Sequence, residues 1–479
     1  MPALDDWTAS TPIASFSPDL LLPDSIFWRP FQHLFRVLAF WFPYPGFVHT
    51  TNAIGHLIAI ALIYILARQC GASSRNAHFG AFAYAIAPVV GTAVWAVDSE
   101  NHIWSIVCGL TSVAILCGNR SRKLYSHAGW LTFAMLATLW NESGIAWFAV
   151  APLIKAYARI SGQTSGKADL GAPAPLHHRV DMKRVYRRAG AEIAMGFLGV
   201  SIYFSARFLL LGTIALGASG SRYGASLDPG AFVKHATILI GITLTTVDTL
   251  ALLSPQPSFW LAITSFIMGL PLLFSIARRL AHRWTVHHWL IATSACITTV
   301  APFSIMGHIS ESYAQHPAAV LAILLPVTGS SHDRKFALRR WSMVVPALAL
   351  LACLIGNTHK FMSMVQLGNS SVAVGRSIAE TVYPFVPERI CVICEEPAGK
   401  HGYSVFEAPP NIASSCGLAA RMYWGWRQDV VFYTVSSLAE CPHIESSAVV
   451  LAAAGLIKYP RPDCPAVAIS LSGQVQRLR

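Results

Sequence analysis

Long apolar stretches separated by short polar loops dominate the first three quarters of the chain. Many approach the roughly 20 residues that an α-helix needs to cross the hydrocarbon core of a bilayer. The pattern predicts ten membrane-spanning helices, near residues 47–69, 76–97, 98–118, 124–140, 142–158, 189–212, 258–277, 286–303, 316–328 and 341–357. Residues 230–253 are apolar too but contain charged positions, and we expect a re-entrant or interfacial segment there.

More polar sequence flanks this predicted bundle. Residues 1–46 predict an external acidic loop with an amphipathic helix, from Phe31 to Phe42, that lies on the membrane surface. Residues 47–357 contain the bundle, and residues 360–479 predict a small external domain.

The C-terminal region has the pattern of a small α/β domain. Strand-like runs separated by Pro and Gly turns fall at 389–394, 429–435, 447–452 and 465–471, and a helix is expected around 417–427. Alternating runs of this length are typical of strands. The fold class is therefore predicted as an all-α polytopic membrane bundle with a small external α/β C-terminal domain.

Composition supports a membrane protein. The mean hydropathy is +0.49, and only 12% of the residues are charged, against about a quarter in soluble domains. More than half of the 35 lysines and arginines fall in alternate loops, near 68–75, 120–123, 155–188, 278–283 and 334–340. The positive-inside rule makes those loops cytoplasmic. The net charge of +12 then reflects orientation and contact with anionic lipid, and nucleic acid is not an expected partner.

Half of the ten cysteines lie in the C-terminal region: Cys391, Cys394, Cys416, Cys441 and Cys464. Outside the cell they favour one or two disulfides with one thiol left over. Cys391 and Cys394 could instead be half of a zinc site, but no second closely spaced pair completes it. No metal site is predicted, and participation of a divalent cation is left open.

Acidic residues collect on the face opposite the basic loops. They include Asp5, Asp6, Asp19, Asp24, Asp98, Glu100, Glu142, Asp228 and Glu311. Acidic residues have little influence on topology, so their concentration near the ends of spans needs another cause. Solvated loops would explain it, and so would a water-filled cavity open to the outside.

Several short motifs occur in order along this external face. They are "LDDW" (4–7), "FWRPFQHLF" (27–35), "PGFVHTTNAIGHL" (45–57), "WNESG" (140–144) and "HISESYAQHPAAV" (308–320). Together they resemble the GT-C superfamily of polytopic glycosyltransferases, and most of all its branch related to protein O-mannosyltransferases. The chain departs from that pattern at Asn141, where the family has Lys, and at Ser312, where it has Arg.

The resemblance implies sugar transfer from a polyprenyl-phosphate-linked donor to an acceptor hydroxyl at the outer face, with inversion. The acceptor class, whether glycan, lipid or protein, stays open. A carboxylate near the acceptor hydroxyl can remove its proton as it attacks. The resemblance favours Asp5 as this base, with Asp6 close behind; a helix cap or a surface acid is the alternative for both. The expected location is a bacterial inner membrane, with the active site and C-terminal domain on the periplasmic side.

Other acidic residues are candidates for substrate binding. Asp98 and Glu100 could bind a sugar hydroxyl, a metal or the acceptor, and a solvated loop has equal weight. Glu142 is predicted at the start of a span on the same face, where a capping role would also explain an acid.

Two arginines are candidates for the lipid phosphate. Arg207 lies 16 residues from the inner start of its helix, and at about 1.5 Å per residue this places it roughly 24 Å along, near the outer interface. An arginine inside a membrane is usually paired or functional, although its side chain could extend to the lipid headgroups. Arg29 follows from the aromatic-Arg-Pro resemblance.

His49 and His56 are seven residues apart and share one helix face, too far apart for a metal pair of i, i+4 spacing. They are expected to hydrogen-bond to a sugar or a neighbouring helix, the helix being favoured for His56. Glu311 and Tyr313 could line the donor pocket or anchor the membrane interface.

Two alternatives and one expectation remain. A transporter or flippase of lipid-linked saccharides would need sites near the bilayer midplane between repeat-related helices, and no inverted repeat is visible. A catalytically inactive relative would explain Asn141 and Ser312. Placing Asp5 outside also predicts a first transmembrane helix encoded upstream of Met1.

Overall fold

The computed structural model describes residues 16–22, 28–43, 46–95, 100–118, 123–165, 181–211, 228–244, 284–305, 311–326 and 351–358, a few isolated positions, and five strands between 389 and 477. Its helices are α1 (Pro30–Phe40), α2 (Gly46–Gln69), α3 (Ser74–Ile86), α4 (Pro88–Trp95), α5 (Glu100–Gly118), α6 (Lys123–Trp140), α7 (Trp147–Ser165), α8 (Met182–Leu211), α9 (Pro229–Leu244), α10 (Val286–Ser304) and α11 (Gln315–Leu324). Short 3-10 helices cover Pro18–Leu21, Glu142–Ala146 and Glu311–Ala314.

The predicted all-α membrane bundle is confirmed. Among the described helices, α2, α5 and α8 are each long and apolar enough to cross a membrane. Helices α6, α7, α10 and α11 also match predicted spans, and α9 occupies the segment expected to be re-entrant or interfacial. The predicted span 258–277 and most of 341–357 lie outside the described residues.

The centre of the bundle is formed by α5 and α11. Helix α5 packs against α2, α6 and α7, while α11 packs against α2, α3 and α10. Nine of the ten residues of α11 are buried, which is expected of a helix that neighbours surround on all sides. The polar residues in the first turns of these two helices are therefore buried: Glu100, Asn101 and His102 in α5, and Gln315 and His316 in α11.

The predicted single span 76–97 is wrong. The chain instead forms α3 and α4, separated at Ala87, which has φ −61° and ψ 127°. Ala87 precedes Pro88, and the proline ring disfavours a helical conformation of the residue before it. The helix therefore ends at Ile86 and a new one begins at Pro88.

The predicted amphipathic stretch at the start of the chain is helical. Helix α1 begins at Pro30, a residue suited to the first helical position, and buries Gln32, Phe35 and Ala39 on one face. Leu38 and Trp41 lie exposed on the other side. That this helix lies on the membrane surface stays a prediction.

The C-terminal strands form one sheet. They are β1 (Arg389–Ile393), β2 (Val431–Val435), β3 (Ala448–Ala452), β4 (Ala466–Ile469) and β5 (Val475–Arg477), in the order β2-β1-β3-β4-β5. The first four are parallel, and β5 pairs antiparallel with β4. The four predicted strands are confirmed and β5 was missed. The helix expected at 417–427 lies outside the described residues.

A candidate anion-binding site at one end of the bundle

Five segments meet at one end of the bundle: the beginnings of α1, α5, α7 and α11, and the last turns of α8. Contacts between their side chains show this directly. Glu142 lies within ion-pair distance of Arg29 and Arg207, Ser143 bonds to His316, and α1 bonds to α5. We call this the outer end, because the loop charges predict that it faces the outside.

The 3-10 helix before α7 positions Glu142. Asn141 caps this helix, with its side-chain oxygen accepting the backbone N–H of Ser143 at 3.1 Å. Gly144 lies so close to the backbone of Ala137 and Thr138 that a Cβ at this position would collide with them. The segment is therefore fixed against the end of α6, and Glu142 with it.

Glu142 is surrounded by donors. Its Oε2 accepts from Arg29 Nε at 2.7 Å, its Oε1 accepts the backbone N–H of Trp28 at 3.0 Å, and Arg207 Nη1 lies 3.8 Å from Oε1. The exposed fractions of the three ionic side chains are 4% for Glu142, 20% for Arg29 and 0% for Arg207. The capping role suggested for Glu142 is filled by Asn141 instead.

Two guanidinium groups, those of Arg29 and Arg207, lie within ion-pair distance of one carboxylate, Glu142. Guanidinium groups bind carboxylate and phosphate through paired hydrogen bonds. Two guanidinium groups side by side therefore form a positive site whose chemistry suits a phosphate group. Asp5, Asp6, Asp98 and the side chain of Glu311 lie outside the described residues.

Aromatic packing fixes the arginines. The ring of Trp28 stacks on Tyr203 with centroids 5.6 Å apart, and Tyr203 lies one helical turn before Arg207 on α8. Arg207 does not extend to the surface as the headgroup alternative required, because its side chain is fully buried. Trp28 thus joins the two arginine-bearing segments at a fixed separation.

Glu100 is not in a solvated loop. It is fully buried at the first position of α5. Gln32 donates from Nε2 to Glu100 Oε1 at 3.1 Å, and Asn101 donates from Nδ2 to Gln32 Oε1 at 3.4 Å. Glu100 therefore helps to hold α1, the helix that Arg29 precedes, against α5.

The remaining predicted site residues divide between the outer end and the helix interfaces. Tyr313 lies at the outer end, its ring 4.1 Å from that of Phe303 and 5.9 Å from that of His102. His56 Nε2 lies 3.4 Å from the Ala85 carbonyl oxygen, and its ring stacks on Tyr84. It thus joins α2 to α3, as its structural alternative expected. His49 is half-buried near the start of α2.

Two histidines at the outer end were not predicted as site residues. His102 is buried in the first turn of α5, and His316 is fully buried in the first turn of α11. His316 belongs to the quoted "HISESYAQHPAAV" segment, but that resemblance drew attention to Glu311 and Tyr313 instead. A histidine next to a run of small apolar residues, Pro-Ala-Ala-Val, is a signal that could have identified it.

No group of three or more His, Cys, Asp or Glu among the described residues is arranged to hold a metal ion. Because Asp5, Asp6 and Asp98 lie outside the description, participation of a divalent cation stays open.

Comparison with known proteins gives little information about the function of this chain. No protein-family model matches the chain, and no curated protein matches it. Among solved structures it is similar to the crystal structure of ArnT from Cupriavidus metallidurans bound to undecaprenyl phosphate, with 12% sequence identity and a TM-score of 0.46. The match covers 98% of this chain and 90% of that one. A likeness of this size carries no argument about function.

Proposed function

We propose that this chain is a polytopic membrane glycosyltransferase that resembles the GT-C superfamily. It transfers a sugar from a polyprenyl-phosphate-linked donor to an acceptor hydroxyl at the outer face of a bacterial inner membrane. One observation carries the proposal: a buried arginine and a partly buried one, Arg207 and Arg29, converge on a single glutamate at the end of the bundle where the motifs of the resemblance collect.

The chemistry of the leaving group explains why such a site suits this reaction. When the glycosyl–phosphate bond breaks, both bonding electrons leave with the phosphate, so negative charge grows on its oxygens. Fixed positive groups stabilise that charge without reorganising during the reaction. Arg29 and Arg207, held in place by Trp28 and Tyr203, would supply this stabilisation, with Glu142 orienting both.

The acceptor side of the reaction needs a base. As the acceptor oxygen attacks the anomeric carbon, its proton passes to a carboxylate and polyprenyl phosphate departs from the opposite face, which inverts the configuration. Asp5 is proposed for this role and Asp6 as its neighbour, both through the resemblance of "LDDW". Glycan, lipid and protein acceptors are all compatible with this scheme.

The phosphate site is tested by binding of polyprenyl phosphate to the full chain in lipid nanodiscs. Arg207→Met should raise the Kd about 10- to 150-fold, since a hydrogen bond to a charged group is worth roughly 1.5–3 kcal/mol. Lys155→Met is the matched control, because it also replaces a largely buried cationic side chain paired with one glutamate. An unchanged Kd in Arg207→Met, or an equal loss in Lys155→Met, would contradict the proposal.

The base is tested with membranes supplied with labelled polyprenyl-phosphate sugar and the native acceptor pool. Asp5→Asn should abolish transfer while polyprenyl phosphate still binds, because the amide cannot take up the proton. Asp6→Asn should impair transfer equally or less. Near-normal turnover in Asp5→Asn would exclude Asp5 as the base. Binding of the donor without transfer in the unaltered protein would indicate an inactive relative.

A further inference from the structure

A short chain of hydrogen bonds links the 3-10 helix before α7 to His316 on α11. Ser143 Oγ donates to Asn141 Oδ1 at 2.7 Å, and His316 Nε2 lies 3.1 Å from Ser143 Oγ. The backbone N–H of Ser143 also points to Asn141 Oδ1, at 3.1 Å. Because the hydroxyl and the backbone N–H of Ser143 are both donors, the Asn141 atom that they contact must be the amide oxygen.

This chain of bonds fixes the tautomer of His316. A serine hydroxyl has one proton, and that of Ser143 is used toward Asn141. Ser143 Oγ can then only accept from His316, so Nε2 carries the imidazole proton. In a neutral imidazole the other ring nitrogen is then an acceptor. Nδ1 of His316 therefore presents a lone pair, directed away from Ser143.

That lone pair has no hydrogen-bond partner among the residues that the structure describes, and the side chain is fully buried. A buried acceptor left without a donor costs about 1–3 kcal/mol. His102 Nδ1 also lacks a hydrogen-bond partner within the described part of the chain. His102 lies within electrostatic range of both His316 and Arg29, which places the pair beside the arginine site.

The group that fills such a position must donate a proton. A phosphate diester has no proton to donate, so the lipid phosphate cannot satisfy His316. A hydroxyl can. The ring of His316 is also surrounded by aromatic side chains, with Trp147 at 5.9 Å and Phe303 at 5.8 Å between ring centroids. Aromatic faces attract the positive C–H edges of a neighbouring ring, and a sugar combines such C–H groups with hydroxyls.

We propose that His316, held in one tautomer by Asn141 and Ser143, binds a hydroxyl group of the glycosyl unit that the donor carries. His102 lines the same subsite. This inference rests on the proposed function, since it assigns the sugar to a place next to the phosphate site. The resembled family has lysine at the position of Asn141. The hydrogen bonds from Asn141 through Ser143 to His316 are therefore specific to this chain's version of the WNESG motif.

Two substitutions distinguish the role of Nδ1 from that of Nε2 in the His316 imidazole. His316→Gln places an amide nitrogen near the position of Nε2, so it can still donate to Ser143, but it removes the acceptor at Nδ1. His316→Asn places an amide oxygen near Nδ1 and gives up the bond to Ser143. The first variant removes the proposed sugar contact, and the second retains it.

The measurement compares two probes on the full chain in nanodiscs: polyprenyl phosphate alone, and a panel of polyprenyl phosphates carrying single hexoses or pentoses. The unaltered protein should bind at least one glycosylated lipid about ten-fold more tightly than polyprenyl phosphate. His316→Gln should lose this gain and keep its affinity for polyprenyl phosphate, whereas His316→Asn should keep part of the gain.

The outcomes distinguish this inference from the proposed function. Failure of the unaltered protein to bind polyprenyl phosphate overturns the proposed function. If polyprenyl phosphate binds but no sugar adds affinity, or if His316→Gln keeps the full gain, the subsite is wrong and a water molecule occupies Nδ1. Should His316→Gln fold poorly, Ser143→Ala replaces it: this variant frees the tautomer, and an undiminished sugar gain again overturns the inference.

Discussion

Two buried glutamates, Glu142 at the outer end and Glu192 nearer the inner end, are surrounded by different charges. Glu142 faces Arg29 and Arg207. Glu192 accepts from Lys155 Nζ at 2.7 Å, and His127 Nε2 lies 3.5 Å from the same oxygen. The inner cluster joins α6, α7 and α8 through one carboxylate with a lysine and a histidine beside it, while the outer cluster places two guanidinium groups beside one carboxylate.

The difference separates a structural contact from a candidate binding site. In a pair of one cation and one carboxylate the two charges compensate each other, and replacement of the pair by apolar residues is often neutral or stabilising. Two guanidinium groups beside one carboxylate can in addition form paired hydrogen bonds with phosphate oxygens. The inner cluster therefore serves as an internal control for the outer one, since both lie in the same bundle and both include a residue of α8.

The largest effect is expected from removing either carboxylate. Glu142→Gln and Glu192→Gln should each lower the free energy of unfolding by about 3–5 kcal/mol, because each removes the carboxylate beside largely buried cations. Polyprenyl phosphate at one fixed concentration, 100 times the Kd of the unaltered protein, should stabilise the unaltered protein and Glu192→Gln by about 2.7 kcal/mol each, and Glu142→Gln by more, because the lipid phosphate replaces the lost carboxylate. Thermal unfolding with and without the lipid measures this, and equal restoration in both variants would erase the distinction between the two clusters.

A smaller effect is expected at two glycines, one near each cluster. Gly144→Ala should lower the free energy of unfolding by about 1–3 kcal/mol and weaken polyprenyl phosphate binding, because its Cβ meets backbone at the end of α6 and displaces Glu142. A Cβ at Gly190, two residues from Glu192, meets no atom within 4 Å. Gly190→Ala should therefore stabilise α8 by up to about 1 kcal/mol and leave binding unchanged. If Gly190→Ala also weakened lipid binding, the weaker binding of Gly144→Ala could not be attributed to displacement of Glu142.

Replacing the whole inner pair should change little. The double variant Lys155→Met with Glu192→Leu removes both charges at once, and we expect a free energy of unfolding within about 1 kcal/mol of the original value or above it. Binding of polyprenyl phosphate should not change. If the double variant lost as much free energy of unfolding as Glu192→Gln, the Lys155–Glu192 pair would itself stabilise the fold.

The smallest effect is expected from His127→Phe. Its imidazole is partly exposed and 3.5 Å from Glu192, and a contact of this kind contributes about 0–1 kcal/mol. The phenyl ring can keep the edge-on packing against Trp130. Thermal unfolding of the variant and the unaltered protein measures this difference. A loss well above 1 kcal/mol would make His127 a full ionic member of the inner cluster.

Local patterns predicted much of the fold. The lengths of the apolar stretches predicted α2, α5 and α8, and alternation between turns predicted β1 to β4. The break at Ala87 was missed although Pro88 was visible in the sequence, because the apolar run continues through it. Strand β5, only three residues long, is too short for alternation to identify.

The predicted site residues have different places in the structure, and their roles stay predictions. Arg29 and Arg207 both lie beside Glu142, Glu100 is joined to α1 through Gln32, and Tyr313 packs near His102. His56 instead contacts the end of α3. His102 and His316 were missed because nothing in their own segments shows that a serine 173 residues away would occupy one imidazole nitrogen of His316.

The sequence by itself determined that the chain is a membrane bundle with an α/β C-terminal region, because helix length, strand alternation and the charge of loops are local properties. Only the tertiary structure decided that Arg29 meets a carboxylate 113 positions away and that Arg207 approaches the same carboxylate. The physical reason is that buried charges are stable only beside partners that helix packing brings to them. That packing depends on side chains throughout the bundle, and not on the residues nearest to each charge along the chain.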